Sequence, residues 1–360
     1  METQDAVLNA KVHWVWPFTK ANLTAGLRRY RGDPTLVVEE VVSQSLPHGR
    51  PSIGRVTSFK AHYRGRNDEG MCDLVLKEPL GTTRTGLAGA GRREVGVYKS
   101  LAEHLPVNTP GLIAASPLGD WLILEMVSPA VEPDAWSRDD YLTAIDSLTQ
   151  LHDRFWNLGE DLQAFPWLGR PLEADFEVHV MAATHAIERI IIGRRPKGLA
   201  KVPRRMEIFA KLTSQAEAVI APLKEQPMTL LHGDYWPGNI SVLEDRTQVV
   251  YDWQLTGVGP GVLDLLVFVN KSAWWFEAIP VDAEVIIHHY RERMAAKVGI
   301  SWTDDVWQLL WDHALMWRFL QEWVDLLAAS PEPLLETRGD QLDRVWLGPV
   351  ADAVDRRLGD

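Results

Sequence analysis

Leu230-Leu231-His232-Gly233-Asp234-Tyr235-Trp236-Pro237-Gly238-Asn239-Ile240, followed by Val249-Val250-Tyr251-Asp252-Trp253, is the stretch whose reading decides the fold of this chain. Each polar cluster adjoins a short apolar run, Leu230-Leu231 or Val249-Val250, which suggests strands holding two loops rigidly. Asn239 comes five positions after Asp234, and Asp252 thirteen positions after Asn239. A loop carboxylate such as Asp234 is able to orient a hydroxyl and accept its proton. Asn239 and Asp252 offer hard oxygen ligands suited to Mg²⁺, an ion that keeps several waters and takes few protein ligands. A base plus two oxygen ligands fits phosphoryl transfer, where a metal neutralises phosphate charge and the protein positions the nucleophile.

Composition narrows the classes around that stretch. The 360 residues are 46% hydrophobic and 24% charged, an ordinary globular balance that excludes a disordered or fibrous chain. A single cysteine, Cys72, excludes an internal disulfide and argues against a cysteine-rich zinc site. No apolar run approaches the ~20 residues that span a bilayer. Met1 to Ala10 lacks the basic-then-apolar layout of a signal peptide, so a soluble cytoplasmic protein with no membrane partner is expected. The net charge of -12 argues against nucleic acid, which needs a basic surface. Sixteen tryptophans are expected mostly in packing, with a few available to stack on a ligand.

The first ~130 residues read as strand-rich. Leu36 to Val42, Val56 to Tyr63, Cys72 to Lys77 and Trp121 to Val127 are the expected strands. Asn67-Asp68-Glu69-Gly70 has the turn chemistry of a hairpin, and Gly81 to Gly91 reads as a loop. Val95, Tyr98, Leu101 and Leu105 give Arg92 to His104 a helical face. Beyond Ser128 to Pro133 the pattern turns helical: Arg138 to Phe155, Asp175 to Ile192, Arg205 to Leu223, and Trp302 to Leu327 with one break. The basic stretch from Gly193 to Arg205 reads as solvated surface. Two lobes are expected, 1–127 and 128–360, with a ligand crevice between them.

The form His232-Gly233-Asp234-x-x-x-x-Asn239, followed by Asp252-Trp253 and Gly261-x-x-Asp264-Leu265, resembles the aminoglycoside phosphotransferase and choline kinase-like family of small-molecule kinases. The resemblance implies an α+β, two-lobed protein-kinase-like fold. Its strand-rich N-terminal lobe would carry one key helix and bind nucleotide. Its larger, mainly helical lobe would hold the catalytic loop and the acceptor. It implies transfer of the γ-phosphate of ATP (or GTP) to a hydroxyl of a small molecule, an amino-sugar or other cationic compound, with Mg²⁺ as cofactor. Asp234 would act as the base, and Asn239 and Asp252 would hold the metal.

A kinase lobe also needs a strand lysine for the phosphates and a helix glutamate to orient it. Lys77 ends the strand Leu74-Val75-Leu76, and Glu94 opens the helix seventeen residues later. Glu94 has a competing reading as a capping charge at the helix N-terminus. Glu125 and Val127 fall where a linker would meet the adenine edge. The phosphate-covering loop departs from the protein-kinase pattern, with no Gly-x-Gly-x-x-Gly between Ser45 and Gly54; Ser52 is its candidate phosphate contact. His232 and Asp264 are expected to brace the loop, and His152 to pack. Asp312, Glu322 and Asp325 are candidates to attract an ammonium, and Trp274, Trp275, Trp311 and Trp317 to stack on the acceptor. A choline- or fructosamine-type kinase and a nucleotide-binding pseudokinase stand as alternatives.

Overall fold

The computed structural model describes residues 15–44, 54–66, 69–79, 88–194 and 196–359. Its N-terminal part is a five-stranded sheet in the order β1-β2-β3-β5-β4, antiparallel throughout. The strands are β1 (Val37–Gln44), β2 (Arg55–Arg64), β3 (Glu69–Glu78), β4 (Leu112–Ala115) and β5 (Leu122–Glu125). β2 and β3 pair from Arg64 opposite Glu69 to Arg55 opposite Glu78 as an antiparallel pair; Glu69 and Gly70, read as turn residues, already belong to β3, and Asn67 and Asp68 lie outside the described residues. That register puts Lys77 opposite Val56 on one side and Leu122 on the other, in the middle strand of the sheet.

Alternation along β3 sorts its side chains between the two faces. Leu74 and Leu76 are buried together with Phe59, Ala61 and Ile123 in a small core that also takes Phe18, Leu23 and Leu27. Leu23 and Leu27 come from a helix that the sequence pattern does not single out, α1 (Lys20–Arg31). Thr19 and Asn22 close its start as a reciprocal capping pair, and Gly32 ends it in the left-handed conformation. Its apolar stripe is short, which is why periodicity alone overlooks it.

The Arg92–His104 stretch is helical, but it starts earlier and changes pitch. α2 (Ala90–Gly96) runs into a π turn over Val97–Leu101 and a 3₁₀ turn over Ala102–His104. Val95, Tyr98 and Leu101 join Leu122 and Leu124 in the larger hydrophobic core, which continues through the helical remainder of the molecule. α2 is thereby packed on both parts.

In that remainder, α3 (Arg138–Arg154) begins at a Ser137–Asp140 capping box, and α4 (Phe176–Gly193) follows. Arg205 to Leu223, read as one helix, is two: Pro203–Ser214 and Ala216–Lys224 part at Gln215, whose backbone leaves the helical region. Trp302 to Leu327 comprises a helix Asp304–Arg318, a π turn Phe319–Trp323 and a helix Val324–Ala329. The helices Val262–Trp275 and Ala283–Val298 pack among them. Two small ribbons, β6 (Thr229–Leu231) with β9 (Gly257–Gly259) and β7 (Ile240–Val242) with β8 (Gln248–Val250), carry the loops quoted at the outset. In the basic stretch, Arg204 pairs with Asp355, Arg205 with Asp343, and Lys197 lies 4.0 Å from Glu332, the solvated ion pairing expected of it. No described helix is long and apolar enough to cross a membrane.

α1 sits so close to β4 that a Cβ on Gly26 would lie 2.2 Å from the Ile113 carbonyl oxygen. Gly26→Ala is expected to force the helix off the sheet and to cost about 1–3 kcal/mol, read by chemical denaturation.

Candidate active site

The loop after β6 is held by one buried carboxylate. Asp264, on the helix Val262–Trp275, accepts the His232 N–H at 2.7 Å through Oδ2 and the Gly233 N–H at 2.8 Å through Oδ1. His152 of α3 lies 3.3 Å from Oδ2 and is itself 2.7 Å from the Tyr290 hydroxyl. Burial alone would raise the Asp264 pKa. The His152 hydrogen bond, the two nearby imidazoles and the Gly233 N–H outweigh that and hold it below the usual carboxylate range. Gly233 is in the left-handed region, φ +81°, and a Cβ there would be 2.0 Å from the Leu255 carbonyl oxygen.

His232 is fully buried, and desolvation pulls its pKa down despite the carboxylates around it. Its Nδ1 accepts the Asp234 N–H at 3.2 Å and its Nε2 lies 3.1 Å from the Tyr251 carbonyl oxygen. A neutral ring protonated at Nε2 satisfies both contacts, so His232 joins the two loops and has no nitrogen left for catalysis.

Lys77 brings three of the sequence-predicted residues together. Its Nζ is 2.7 Å from Glu94 Oε1 and 2.7 Å from Asp252 Oδ1. Burial alone would lower the ammonium's pKa; the two carboxylates outweigh it and raise it, so the lysine stays charged. Glu94 is pushed up by burial and by the charge of Asp252, against the pull of Lys77. The capping reading of Glu94 fails: it is the fifth residue of α2, beyond the first turn, and its side chain turns to Lys77. Asp252 itself is a non-glycine residue in the left-handed region, φ 69° and ψ 56°, a costly conformation that recurs where a side chain must be aimed. Arg93 donates to the Gln254 carbonyl oxygen at 2.9 Å and ties α2 to the loop that follows Asp252.

Asn239 Nδ2 donates to Asp234 twice, to the backbone oxygen at 2.9 Å and to Oδ2 at 3.0 Å. The amide is thereby oriented with Oδ1 as its remaining acceptor, the atom a hard cation would take. Among the described residues no cluster of three or more His, Cys, Asp or Glu side chains forms a metal site. Asn239 and Asp252 offer oxygen donors of the kind Mg²⁺ takes, an ion that needs few protein ligands.

The sequence reading did not pair Lys271 with Asp234. Its Nζ reaches Asp234 Oδ1 at 2.5 Å and Glu322 Oε1 at 3.4 Å. Arg318 donates to the Gly233 carbonyl oxygen at 3.1 Å and to Glu322 Oε2 at 3.0 Å. Glu322 therefore faces two protein cations at the catalytic loop. Its position depends on the π turn Phe319–Trp323, which inserts a residue into the helical register.

The remaining candidates separate. Ser52 lies outside the described residues. Glu125 ends β5, where its N–H donates to the Gly111 carbonyl oxygen at 2.9 Å and its carboxylate accepts the Gly111 N–H at 3.1 Å. Its side chain is thus turned into the sheet; Val127 lies two residues beyond it. Asp312 is buried under Arg356 and Arg357 and braces the C-terminal helix Gly348–Arg357. Asp325 meets Arg189 at 2.5 Å. Trp317 is fully buried on Phe176, and Trp274 is buried against Trp323. Trp275 differs: it is 43% exposed and stacks at 6.0 Å on Trp236, two residues after Asp234.

The chain belongs to the phosphotransferase enzyme family, whose model matches residues 54–299, more than half its length. It is a phosphotransferase. A Plasmodium vivax ethanolamine kinase has a similar fold, with TM-score 0.54 and 12% identity over 85% of this chain and 81% of its own. An ADP-bound aminoglycoside phosphotransferase matches with TM-score 0.50 and 12% identity over 92% of this chain and 99% of its own. An amicoumacin kinase in complex with AMP-PNP and Ca²⁺ matches with TM-score 0.50 and 13% identity over 91% and 96%. No curated protein sequence matches the chain. At these identities the neighbours establish the kinase-like fold.

Asp264→Asn is expected to destabilise the protein by about 3 kcal/mol or more at neutral pH, because a charged acceptor of two buried N–H groups is lost. The folded-state pKa of Asp264 is depressed, so its contribution is full above the carboxylate's unfolded pKa and is lost as pH falls through the folded value. The stability gap between parent and variant therefore narrows on acidification. A gap that stays constant from neutral pH into the acid range would contradict this role.

Proposed function

We propose that this phosphotransferase is a Mg²⁺-dependent small-molecule kinase that moves the γ-phosphate of ATP or GTP to an acceptor hydroxyl. The observation that carries the reading is Lys77 joining Glu94 of α2 to Asp252 of the second loop, while Asn239 donates to Asp234 and accepts the Tyr251 N–H of that second loop at 3.0 Å. Residues 1–127 form the nucleotide lobe in this reading, and 128–360 the acceptor lobe.

Lys77 holds nucleotide phosphates and Glu94 orients it. The Glu125 carbonyl and the Val127 backbone meet the adenine edge, and Ser52 is the phosphate contact that the sequence suggests. Asn239 and Asp252 would hold Mg²⁺, which on binding would neutralise phosphate charge. Asp234 Oδ1 accepts a hydrogen bond from the acceptor hydroxyl and takes its proton as the oxygen attacks the γ-phosphorus. The bond between the γ-phosphorus and the bridging oxygen breaks, and its electron pair leaves on the nucleoside diphosphate. The acceptor is a hydroxyl-bearing small molecule, an amino-sugar or related cation, lying over the exposed face of Trp275. A pseudokinase reading is disfavoured because the chain carries a candidate for the base, the phosphate lysine and both oxygen ligands.

Acceptor-dependent release of ADP or GDP, measured across aminoglycosides, macrolides, choline, ethanolamine, amino-sugars and glycated amines, tests the reading. Asp234→Asn is expected to lower turnover by about 10²–10⁴-fold while leaving Mg-nucleotide binding near the parent's. Asp252→Ala is expected to weaken Mg-nucleotide binding itself. Turnover retained in Asp234→Asn would remove that residue from the base role.

A further inference from the structure

Both carboxylate oxygens of Asp234 have protein partners. Oδ2 takes the Asn239 amide at 3.0 Å, and Oδ1 takes Lys271 Nζ at 2.5 Å. The lysine is long, comes from a separate helix, and keeps only 12% of its side chain in solvent. Desolvation alone would pull its pKa down. Asp234 and Glu322 reverse that, so the group stays an ammonium.

Its main partner is the group assigned to accept a proton in every turnover. Its second anion, Glu322 at 3.4 Å, is shared with Arg318, so Asp234 Oδ1 is the ammonium's main anchor. A buried cation held this way is stabilised by any further anion brought beside it. An acceptor oxygen lies about 2.6–3.2 Å from the base, and its target phosphorus about 3–3.5 Å further on. The transferring phosphoryl oxygens thus come within reach of a flexible four-carbon stem anchored beside Oδ1.

We propose that Lys271 contacts the transferring phosphoryl group: it restrains Asp234 in the resting enzyme and reaches from beside Oδ1 to the phosphoryl oxygens during transfer. This rests on the kinase reading given above. The lysine neither gains nor loses a proton. The acceptor O–H bond breaks toward Asp234, the new oxygen–phosphorus bond forms, and the nucleoside diphosphate leaves with the electron pair. Lys271 offsets negative charge on the phosphoryl oxygens during that exchange. Glu322 is the tether that keeps the lysine beside the loop during transfer.

The test is equilibrium binding of Mg-ADP to the whole chain, with and without aluminium fluoride as a mimic of the transferring group. The parent is expected to bind roughly 10–100-fold more tightly with fluoride, and Lys271→Met to lose most of that gain while keeping its affinity for Mg-ADP alone. Lys271→Arg is expected to retain part of the gain. The double variant Lys271→Met/Glu322→Gln removes one charge of each sign, so a loss seen in it with an unchanged melting temperature is not misfolding. An equal fluoride gain in the parent and both Met variants overturns the proposal. A parent that binds Mg-ADP without any fluoride gain overturns it too. A parent that binds no Mg-ADP overturns the kinase reading itself, and the inference with it.

Discussion

The site depends on Asp264, a carboxylate with no exposure to water that accepts two consecutive backbone N–H groups. Burying a charge is costly unless hydrogen bonds and counter-charges replace its hydration. Here His152, His232 and Gly233 do so, and the same contacts set the direction in which Asp234 leaves the loop. Gly233 is needed in this arrangement because any side chain would collide with the Leu255 carbonyl. The loop's shape is therefore fixed from beneath by packing and from within by backbone chirality, before any ligand is present.

On that base the site is a chain of alternating charges. Glu94, Lys77 and Asp252 form one segment; Asp234, Lys271, Glu322 and Arg318 form the other. The Asn239 amide lies beside the second. Each buried charge has an opposite partner, as it must where solvent is scarce. Lys77 and Lys271 are the two cations among these segments whose carboxylate partners the proposed reaction would engage, one with the cation and one with a proton. The aromatic pair Trp236–Trp275 borders the second segment with a flat, partly exposed surface.

Much of this was legible in the primary structure. His232, Asp234, Asn239, Asp252 and Asp264 are close in sequence, and local spacing constrains them strongly. Lys77 and Glu94 were found because a strand's apolar run and a helix's apolar face each announce themselves by period. The tryptophans were legible only as a class. Trp317 and Trp274 are buried while Trp275 faces solvent, although all three lie on helices with ordinary apolar stripes. Asp312 looked like an acceptor's counter-ion and is a brace for the C-terminal helix, since Arg356 and Arg357 lie 44 and 45 residues away in the chain. Helix α1 and the break at Gln215 were missed because a short stripe and a change of backbone angle leave weak periodic signals.

The sequence by itself determined the class of chemistry, because an Asp, an Asn and a second Asp at loop spacing between apolar strands need only local geometry to converge. Tertiary structure alone decided which charges meet them. Lys271 reaches Asp234 across 37 residues and Lys77 reaches Asp252 across 175, and neither separation carries a periodic mark. Glu322 joins them from a π turn, a change of backbone pitch that shifts its helical register and that the period of the apolar residues does not announce.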